Sequence, residues 1–209
     1  MDKMIICFDL DGTLVNTEKW ILNSFQESFR INNIKISNKE IKKHWGLMAR
    51  QIVKKAKPKL TNNQIKKITK DFEETRSKTF YQIKPFKNTN KILKELAKKH
   101  TLTLLSNNPH KKINRILKQT KINKKYFKIT LGYNDVRKPK PFPTGIHKIE
   151  HKLKRRVNFL VGDTLQDIKT AKAAKTKSII VLTGPKISKK DLKKADFIIK
   201  EISQIKRII

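Results

Sequence analysis

Two aspartates stand two residues apart directly after the first apolar stretch of the chain. Asp9 and Asp11 lie in the segment Phe8–Leu14, and the chain has only 17 Asp+Glu against 51 Lys+Arg, so the position of each acid is informative. One carboxylate can attack an electrophilic centre and form a covalent intermediate, and a second can carry protons to and from the reacting oxygens. The pair predicts a nucleophile, Asp9, and a general acid/base, Asp11, for phosphoryl transfer.

Three later segments supply the other groups that such chemistry needs. Ser106 could donate a hydrogen bond to a phosphoryl oxygen, and Lys138 could offset the charge that gathers there, with Lys140 as its rival in the same loop. Asp163 and Asp167 add two carboxylates. Because Mg²⁺ prefers oxygen ligands, Asp9, Asp163 and Asp167 are the predicted ligands of a magnesium ion.

The elements that must position these groups are short apolar strands alternating with helices. Helical spacing recurs between the later strands, as in residues 90–99 and 167–174. This alternation predicts a parallel sheet covered on both faces, with ligands in the loops beyond the carboxyl ends of its strands. The predicted strands are Met4–Phe8, Leu102–Leu105, Val157–Val161, Ile179–Leu182 and Phe197–Ile199.

Residues 17–84 do not follow this alternation of strands and helices. They contain no convincing strand, and the capping signals Ser37-x-x-Glu40 and Thr61-x-x-Gln64 are typical of helix N-termini. Pro85 marks the return to the alternating pattern. The sequence therefore predicts a doubly wound, Rossmann-like α/β core of residues 1–16 and 85–209, with an inserted all-helical cap domain at 17–84.

Four motifs give the chain a family resemblance over essentially its whole length. The chain resembles haloacid dehalogenase (HAD) superfamily phosphatases, nearest the phosphoglycolate phosphatase-like branch with a helical cap. The resemblance implies that Asp9 is the nucleophile, that Asp11 is the acid/base, and that the backbone carbonyl of Asp11 is a further Mg²⁺ ligand. Asp11 favours phosphatase or phosphomutase chemistry, because the dehalogenases of the family lack this aspartate. The motifs are Asp9–Leu14, Ser106-Asn107, Lys138–Pro141 and Gly162–Asp167.

The substrate contacts are predicted in both parts of the chain. Gly12, Thr13 and Asn107 are expected to bind the substrate from the core, and Trp45 or Arg50 from the cap, near a glycine that lies close to substrate in the resembling branch. The alternative for the cap is that Trp45 packs between helices and Arg50 is solvated. A small phosphorylated substrate is expected, such as phosphoglycolate, a sugar phosphate or a nucleotide.

Two alternatives to a phosphatase remain open. A phosphomutase would keep the same residues but return the phosphoryl group to a product intermediate. The net charge of +34 also raises the possibility of a nucleic-acid-binding protein or a polynucleotide-end phosphatase. Residues 17–84 hold 17 basic and 6 acidic residues and the remainder 34 and 11, so no segment concentrates the charge and nucleic acid is not favoured.

The expected environment of the chain is the cytoplasm. A single cysteine excludes an internal disulfide, which fits a reducing compartment. No apolar stretch approaches the roughly 20 residues of a membrane span, and the first apolar run is too short for a signal peptide. We therefore expect neither a disulfide framework nor a membrane partner.

Overall fold

The chain folds into two compact units in a computed structural model that describes residues 3–45 and 47–209. The first unit comprises Met1–Asn16 and Lys84–Ile209, and the second comprises Thr17–Ile83. A short antiparallel ribbon joins the two points where the chain leaves and re-enters the first unit: strand β2 (Val15–Asn16) pairs with strand β3 (Lys84–Pro85). Lys84, placed in the insertion by the sequence pattern, thus belongs to the first unit.

The first unit is built on a six-stranded parallel sheet in the order β5-β4-β1-β6-β7-β8. The chain starts at the centre, moves outward to one edge, then crosses back and moves outward to the other, which is the doubly wound arrangement predicted. The point of reversal lies at β1, between β4 and β6. The strands are β1 (Ile5–Phe8), β4 (Thr101–Leu105), β5 (Phe127–Leu131), β6 (Phe159–Gly162), β7 (Lys177–Val181) and β8 (Phe197–Ile199).

The predicted α/β class is confirmed, and burial on both faces explains why the central strands are apolar throughout. All four residues of β1 and all four of β6 are buried, as strands covered on both faces should be. Among the described residues, no helix is both long and apolar enough to cross a membrane. Five α-helices of the first unit connect or follow its strands. The helices are α5 (Thr89–Lys99), α6 (His110–Gln119), α7 (Thr144–Leu153), α8 (Leu165–Ala173) and α9 (Lys189–Leu192).

Strand β5 was absent from the sequence prediction. It lies at one edge of the sheet, pairing only with β4 among the named strands. Of its five residues, Lys128 is exposed and two more are only half-buried, so the strand has no continuous apolar run. An edge position explains the mixed pattern, because one side of the strand meets solvent.

The second unit is a helical bundle with its own apolar core. The capping boxes predicted at Ser37 and Thr61 are both present at helix starts. In its core the Phe25 and Phe72 rings stack, with centroids 3.9 Å apart. Aromatic pairs in this arrangement stabilise a core beyond the area that they bury. The helices are α1 (Glu18–Ile31), α2 (Asn38–Lys42), α3 (Ala49–Ala56) and α4 (Asn62–Lys78).

Candidate active site

Three of the predicted site residues directly follow the ends of three adjacent strands. Asp9 follows β1, Ser106 follows β4 and Asp163 follows β6. Because β1 pairs in parallel with both neighbours, these carboxyl ends lie at one edge of the sheet. The backbone N–H of Asp9 continues the ladder by donating to the Val161 carbonyl at 2.8 Å. Sheet register therefore brings the predicted loops together.

Three carboxylates form a buried group at this edge. Asp9, Asp163 and Asp167 each offer an oxygen, and these oxygens lie within 4.8 Å of one another. Burial raises the pKa of Asp9 to about 7, with Lys140 opposing the rise and Asp167 adding to it. Burial also raises the pKa of Asp163, and the negative charges of Asp9 and Asp167 add to the effect. Carboxylates crowded in this way are destabilised unless positive charge is close.

Lys140 supplies part of that positive charge. Its Nζ lies 2.8 Å from Asp9 Oδ1 and 2.6 Å from Asp167 Oδ1, and the side chain is buried. Burial alone would lower the pKa of Lys140, but attraction to Asp167 and Asp9 outweighs it and raises the pKa above its usual value. In formal charge, three carboxylates and one ammonium sum to −2, and the ligand atoms that the three aspartates offer are all oxygens. The residues present therefore fit a divalent cation such as Mg²⁺.

The structure places Lys140 beside the carboxylates, where the sequence had predicted Lys138. Lys138 is exposed, and its Nζ lies 5.0 Å from the centroid of the Phe142 ring. Two overlapping Lys-Pro-x-Pro motifs occur in this loop, and the second, Lys140 to Pro143, ends immediately before α7. Because both lysines begin the same motif and lysine is abundant in the chain, the sequence pattern alone did not separate them.

Asn108 links Ser106 to Asp11. Ser106 is buried, and its Oγ accepts from the backbone N–H of Asn108 at 3.2 Å and from Asn108 Nδ2 at 3.3 Å. Asn108 Nδ2 also donates to Asp11 Oδ2. Because the Ser106 oxygen accepts from Asn108, its own proton can be donated to another acceptor. Asn108 precedes Pro109, and no local signal in the sequence distinguishes an ordinary turn there from this contact.

Two glycines lie next to the Asp163 carboxylate. Gly12 has φ +77°, and a Cβ built there would lie 2.0 Å from Asp163 Oδ2. A Cβ on Gly184, in the loop after β7, would lie 1.9 Å from the same oxygen. Thr183 in that loop donates to the Gly12 carbonyl at 2.5 Å. The loop after β7 is therefore a fifth segment at the site, which the motif analysis missed.

Thr13 and Asp167, predicted to bind substrate and metal respectively, form hydrogen bonds with other groups of the protein. Thr13 is fully buried and its Oγ1 donates to Asp163 Oδ1 at 2.9 Å, so this side chain orients a carboxylate. The Asp167 carboxylate accepts from Lys140 through Oδ1 and from the backbone N–H of Thr164 through Oδ2, at 3.0 Å. It therefore both holds Lys140 and caps α8. The Asp11 carboxylate lies outside the three-carboxylate group found among the described residues.

The predicted substrate residues of the helical unit have different surroundings. Trp45 is half-buried and packs against the apolar core of its own unit. Arg50 is exposed at the start of α3. Gly46, the glycine of this segment, lies outside the described residues. A role in substrate binding stays a prediction for both side chains.

Solved structures with the same fold cover nearly all of this chain. A predicted phosphoglycolate phosphatase from Haemophilus somnus superposes with a TM-score of 0.88 at 23% identity, over 99% of this chain and 97% of that one. A hydrolase of the haloacid dehalogenase-like family from Streptococcus pneumoniae gives 0.85 at 19% identity, over 99% and 98%. A protein from Thermotoga maritima assigned by prediction as a β-phosphoglucomutase gives 0.76 at 17% identity, over 98% and 97%. At these identities the likenesses establish the fold.

The family itself is established by sequence. No curated protein matches this chain. A family model described as haloacid dehalogenase-like hydrolase, however, matches residues 6–181, which include β1 from its second residue, every strand from β2 to β7 and all four motifs. The match confirms the family that the motifs predicted. With its parallel sheet and its carboxylates at the ends of β1 and β6, the chain belongs to the haloacid dehalogenase-like hydrolases.

Proposed function

We propose that this protein is a Mg²⁺-dependent phosphatase that hydrolyses a small phosphate monoester through an aspartyl-phosphate on Asp9. The observation that carries the proposal is the position of Asp9. Its buried carboxylate lies within 4.8 Å of those of Asp163 and Asp167 and 2.8 Å from Lys140 Nζ. A nucleophile held beside both a metal-binding group and a fixed ammonium suits attack on a dianionic phosphate.

Asp9 and Asp163 would hold the metal, together with the backbone carbonyl of Asp11 that the family resemblance implies. When bound, Mg²⁺ supplies positive charge that attracts the phosphoryl oxygens and offsets the carboxylates. Asp167 has a different part, because both of its oxygens accept hydrogen bonds from the protein. It keeps the ammonium of Lys140 beside Asp9, where the ammonium can offset charge on the phosphoryl group.

The first chemical step forms a bond from a carboxylate oxygen of Asp9 to phosphorus while the bond from phosphorus to the ester oxygen breaks. Asp11 gives its proton to that leaving oxygen, so the alcohol departs neutral. In the second step Asp11 takes a proton from a water molecule, whose oxygen attacks phosphorus. The bond to Asp9 then breaks, and the products are inorganic phosphate and the free carboxylate. Ser106 donates to a phosphoryl oxygen in both steps.

Residues 17–83 are the proposed substrate-specificity domain, with Trp45 and Arg50 as its candidate contacts. The proposed substrates are small soluble phosphates: phosphoglycolate, a sugar phosphate or a nucleotide. This assignment draws on the family resemblance, in which an inserted helical unit selects the substrate. The proposed location is the cytoplasm, an inference from the single cysteine of the chain.

The deciding experiment measures phosphate release from a panel of phosphomonoesters, including p-nitrophenyl phosphate, with Mg²⁺ and with EDTA. Wild type and Asp9→Asn are compared side by side, because the amide keeps the shape of the side chain but is not a nucleophile. We expect Mg²⁺-dependent release by the wild type and none above background by the variant. A folded wild type that releases no phosphate from any substrate would overturn the proposal.

The same panel addresses the two alternatives. A phosphomutase would convert a sugar phosphate into its isomer with little free phosphate, which chromatography of the products detects. A polynucleotide-end phosphatase would prefer an oligonucleotide end over a mononucleotide, and its binding would weaken steeply with salt. Either result would replace the small-molecule phosphatase while keeping Asp9 as the nucleophile.

A further inference from the structure

Asn107 bridges two loops of the candidate active site. Its Oδ1 accepts from the backbone N–H of Lys140 at 3.1 Å, and its Nδ2 donates to the backbone carbonyl of Lys140 at 3.0 Å. The two residues are 33 positions apart, in the loops that follow β4 and precede α7. Two bonds to the same residue fix both the distance and the orientation of its backbone, as a pair of bonds between strands does.

Apart from the turn in which the Phe142 N–H donates to the Pro139 carbonyl at 3.0 Å, few backbone groups can hold this part of the loop. Pro139 and Pro141 flank Lys140 and have no backbone N–H to donate. Arg137, Lys138 and Pro139 are exposed, so the chain just before Lys140 lies against solvent. Among residues 139–141, the N–H of Lys140 is the sole backbone donor, and it bonds to Asn107.

The position of the Lys140 side chain depends on this backbone. Its Nζ lies between Asp9 Oδ1 and Asp167 Oδ1, at 2.8 Å and 2.6 Å. A loop shift of about 1 Å would lengthen one or both contacts beyond hydrogen-bond range, and misplacement on that scale costs activity well outside the site of the change. A carboxamide suits the task because it offers one acceptor and one donor to the two backbone groups of Lys140.

We propose that Asn107 is the positioning residue of Lys140. The motif had led us to expect that Asn107 binds substrate, and we infer that this is not its main role. The amide sets the backbone of Lys140, and that backbone places the ammonium beside Asp9. The role of Lys140 in turnover comes from the proposed function, so this inference rests on it. The bridge itself is a feature of the fold and can be tested without turnover.

The first test is a double-mutant cycle with p-nitrophenyl phosphate and Mg²⁺. The variants are Asn107→Ala, Asn107→Asp, Lys140→Met and the double Asn107→Ala/Lys140→Met. Asn107→Asp keeps the shape but loses the donor, so it should behave like the alanine variant. We expect each Asn107 variant to lower kcat by about 10- to 100-fold with KM within about 2-fold. In the Lys140→Met background, Asn107→Ala should change kcat by less than about 2-fold.

Asn90→Ala is the matched control, because Asn90 is an exposed asparagine of the same unit. It should leave kcat and KM unchanged. A rise in KM at constant kcat in the Asn107 variants would overturn the inference and assign the residue to substrate binding. Equal losses of kcat with and without Lys140 would overturn it as well.

The second test reads the position of Lys140 without catalysis. Acetic anhydride at low excess acetylates accessible lysines, and tandem mass spectrometry compares Lys140 with Lys138 in the same peptide. In the wild type Lys138 should react and Lys140 should be protected, since one is exposed and the other buried. Acetylation of Lys140 should rise several-fold in both Asn107 variants while that of Lys138 stays constant.

The two tests separate failure of this inference from failure of the proposed function. An inactive wild type would refute the phosphatase and leave the acetylation test to decide the bridge. Unchanged protection of Lys140 in folded Asn107→Ala and Asn107→Asp would overturn the inference whatever the activity. Circular dichroism and thermal melting establish that each variant is folded.

Discussion

Lys140 Nζ lies 2.8 Å from Asp9 Oδ1, and both side chains are buried. The same ammonium lies 2.6 Å from Asp167 Oδ1, so one cation joins the loop after β1 to the start of α8. A buried ion pair of this kind is costly unless its partners are fixed. Here they are fixed by neighbouring groups: Asn107 holds the backbone of Lys140, and Thr164 donates to Asp167.

The first prediction concerns the two lysines of this loop. Lys140→Met should lower kcat by about 100- to 1000-fold, because the variant removes the charge that offsets Asp9 and the phosphoryl group. Lys138→Met is the matched control and should stay within about 2-fold of wild type, since Lys138 is exposed. Steady-state kinetics with p-nitrophenyl phosphate measure both. A larger loss in Lys138→Met would restore the sequence-based choice.

The second prediction separates the two roles of Asp11. Asp11→Asn should lower kcat by about 100- to 10 000-fold for a sugar phosphate, whose leaving oxygen needs a proton. With p-nitrophenyl phosphate the first step needs no proton, so a burst of p-nitrophenol followed by slow turnover is expected. Stopped-flow absorbance detects the burst. Equal losses for the two substrates with no burst would show that Asp11 is not the proton carrier.

The third prediction concerns the loop after β7. Wild type should melt at a higher temperature with Mg²⁺ than with EDTA, because a ligand that binds only the folded state stabilises it. Gly184→Ala should lose this difference and most of the turnover, since its Cβ would lie 1.9 Å from Asp163 Oδ2. Leu182→Ala, at an exposed position in the same loop, is the control. A normal Mg²⁺ shift in Gly184→Ala would refute close contact with Asp163.

The fourth prediction is a pH dependence within the helical unit. A hydrogen bond from Lys57, followed by those from Ser37, lowers the pKa of Glu40 to about 2 from the ordinary 4.5. Because the folded pKa is depressed, the stabilisation is present above about pH 4.5 and is lost as the pH falls towards 2. Thermal melts should show Glu40→Gln less stable than wild type at pH 7 and the difference narrowing below pH 4.5.

Glu74→Gln is the control for this pH series. Glu74 is exposed, and its carboxylate lies 3.8 Å from Lys70 Nζ, the distance of a weak surface pair. Its difference from wild type should be small at every pH. A constant gap between Glu40→Gln and wild type from pH 7 to pH 2 would contradict the depressed pKa.

The sequence by itself determined the parallel sheet and the loops that meet at its edge. Continuous apolar runs such as Ile5–Phe8 have to be buried on both faces, and helices between them force parallel pairing. Polar motifs placed directly after such runs must then lie at the carboxyl edge. Asp9, Ser106 and Asp163 could be located in this way because strand direction alone decides where they lie.

Only the tertiary structure decided which of two nearby loop residues has its side chain at the site. Lys138 and Lys140 each begin a Lys-Pro-x-Pro motif, and contacts with Asn107, Asp9 and Asp167 hold Lys140 at the site. The contact of Gly184 with Asp163 joins loops after two different strands, so no local pattern records it. Local patterns determine which segments are strands, helices or loops. The direction of one side chain within a loop depends on contacts between segments far apart in the chain.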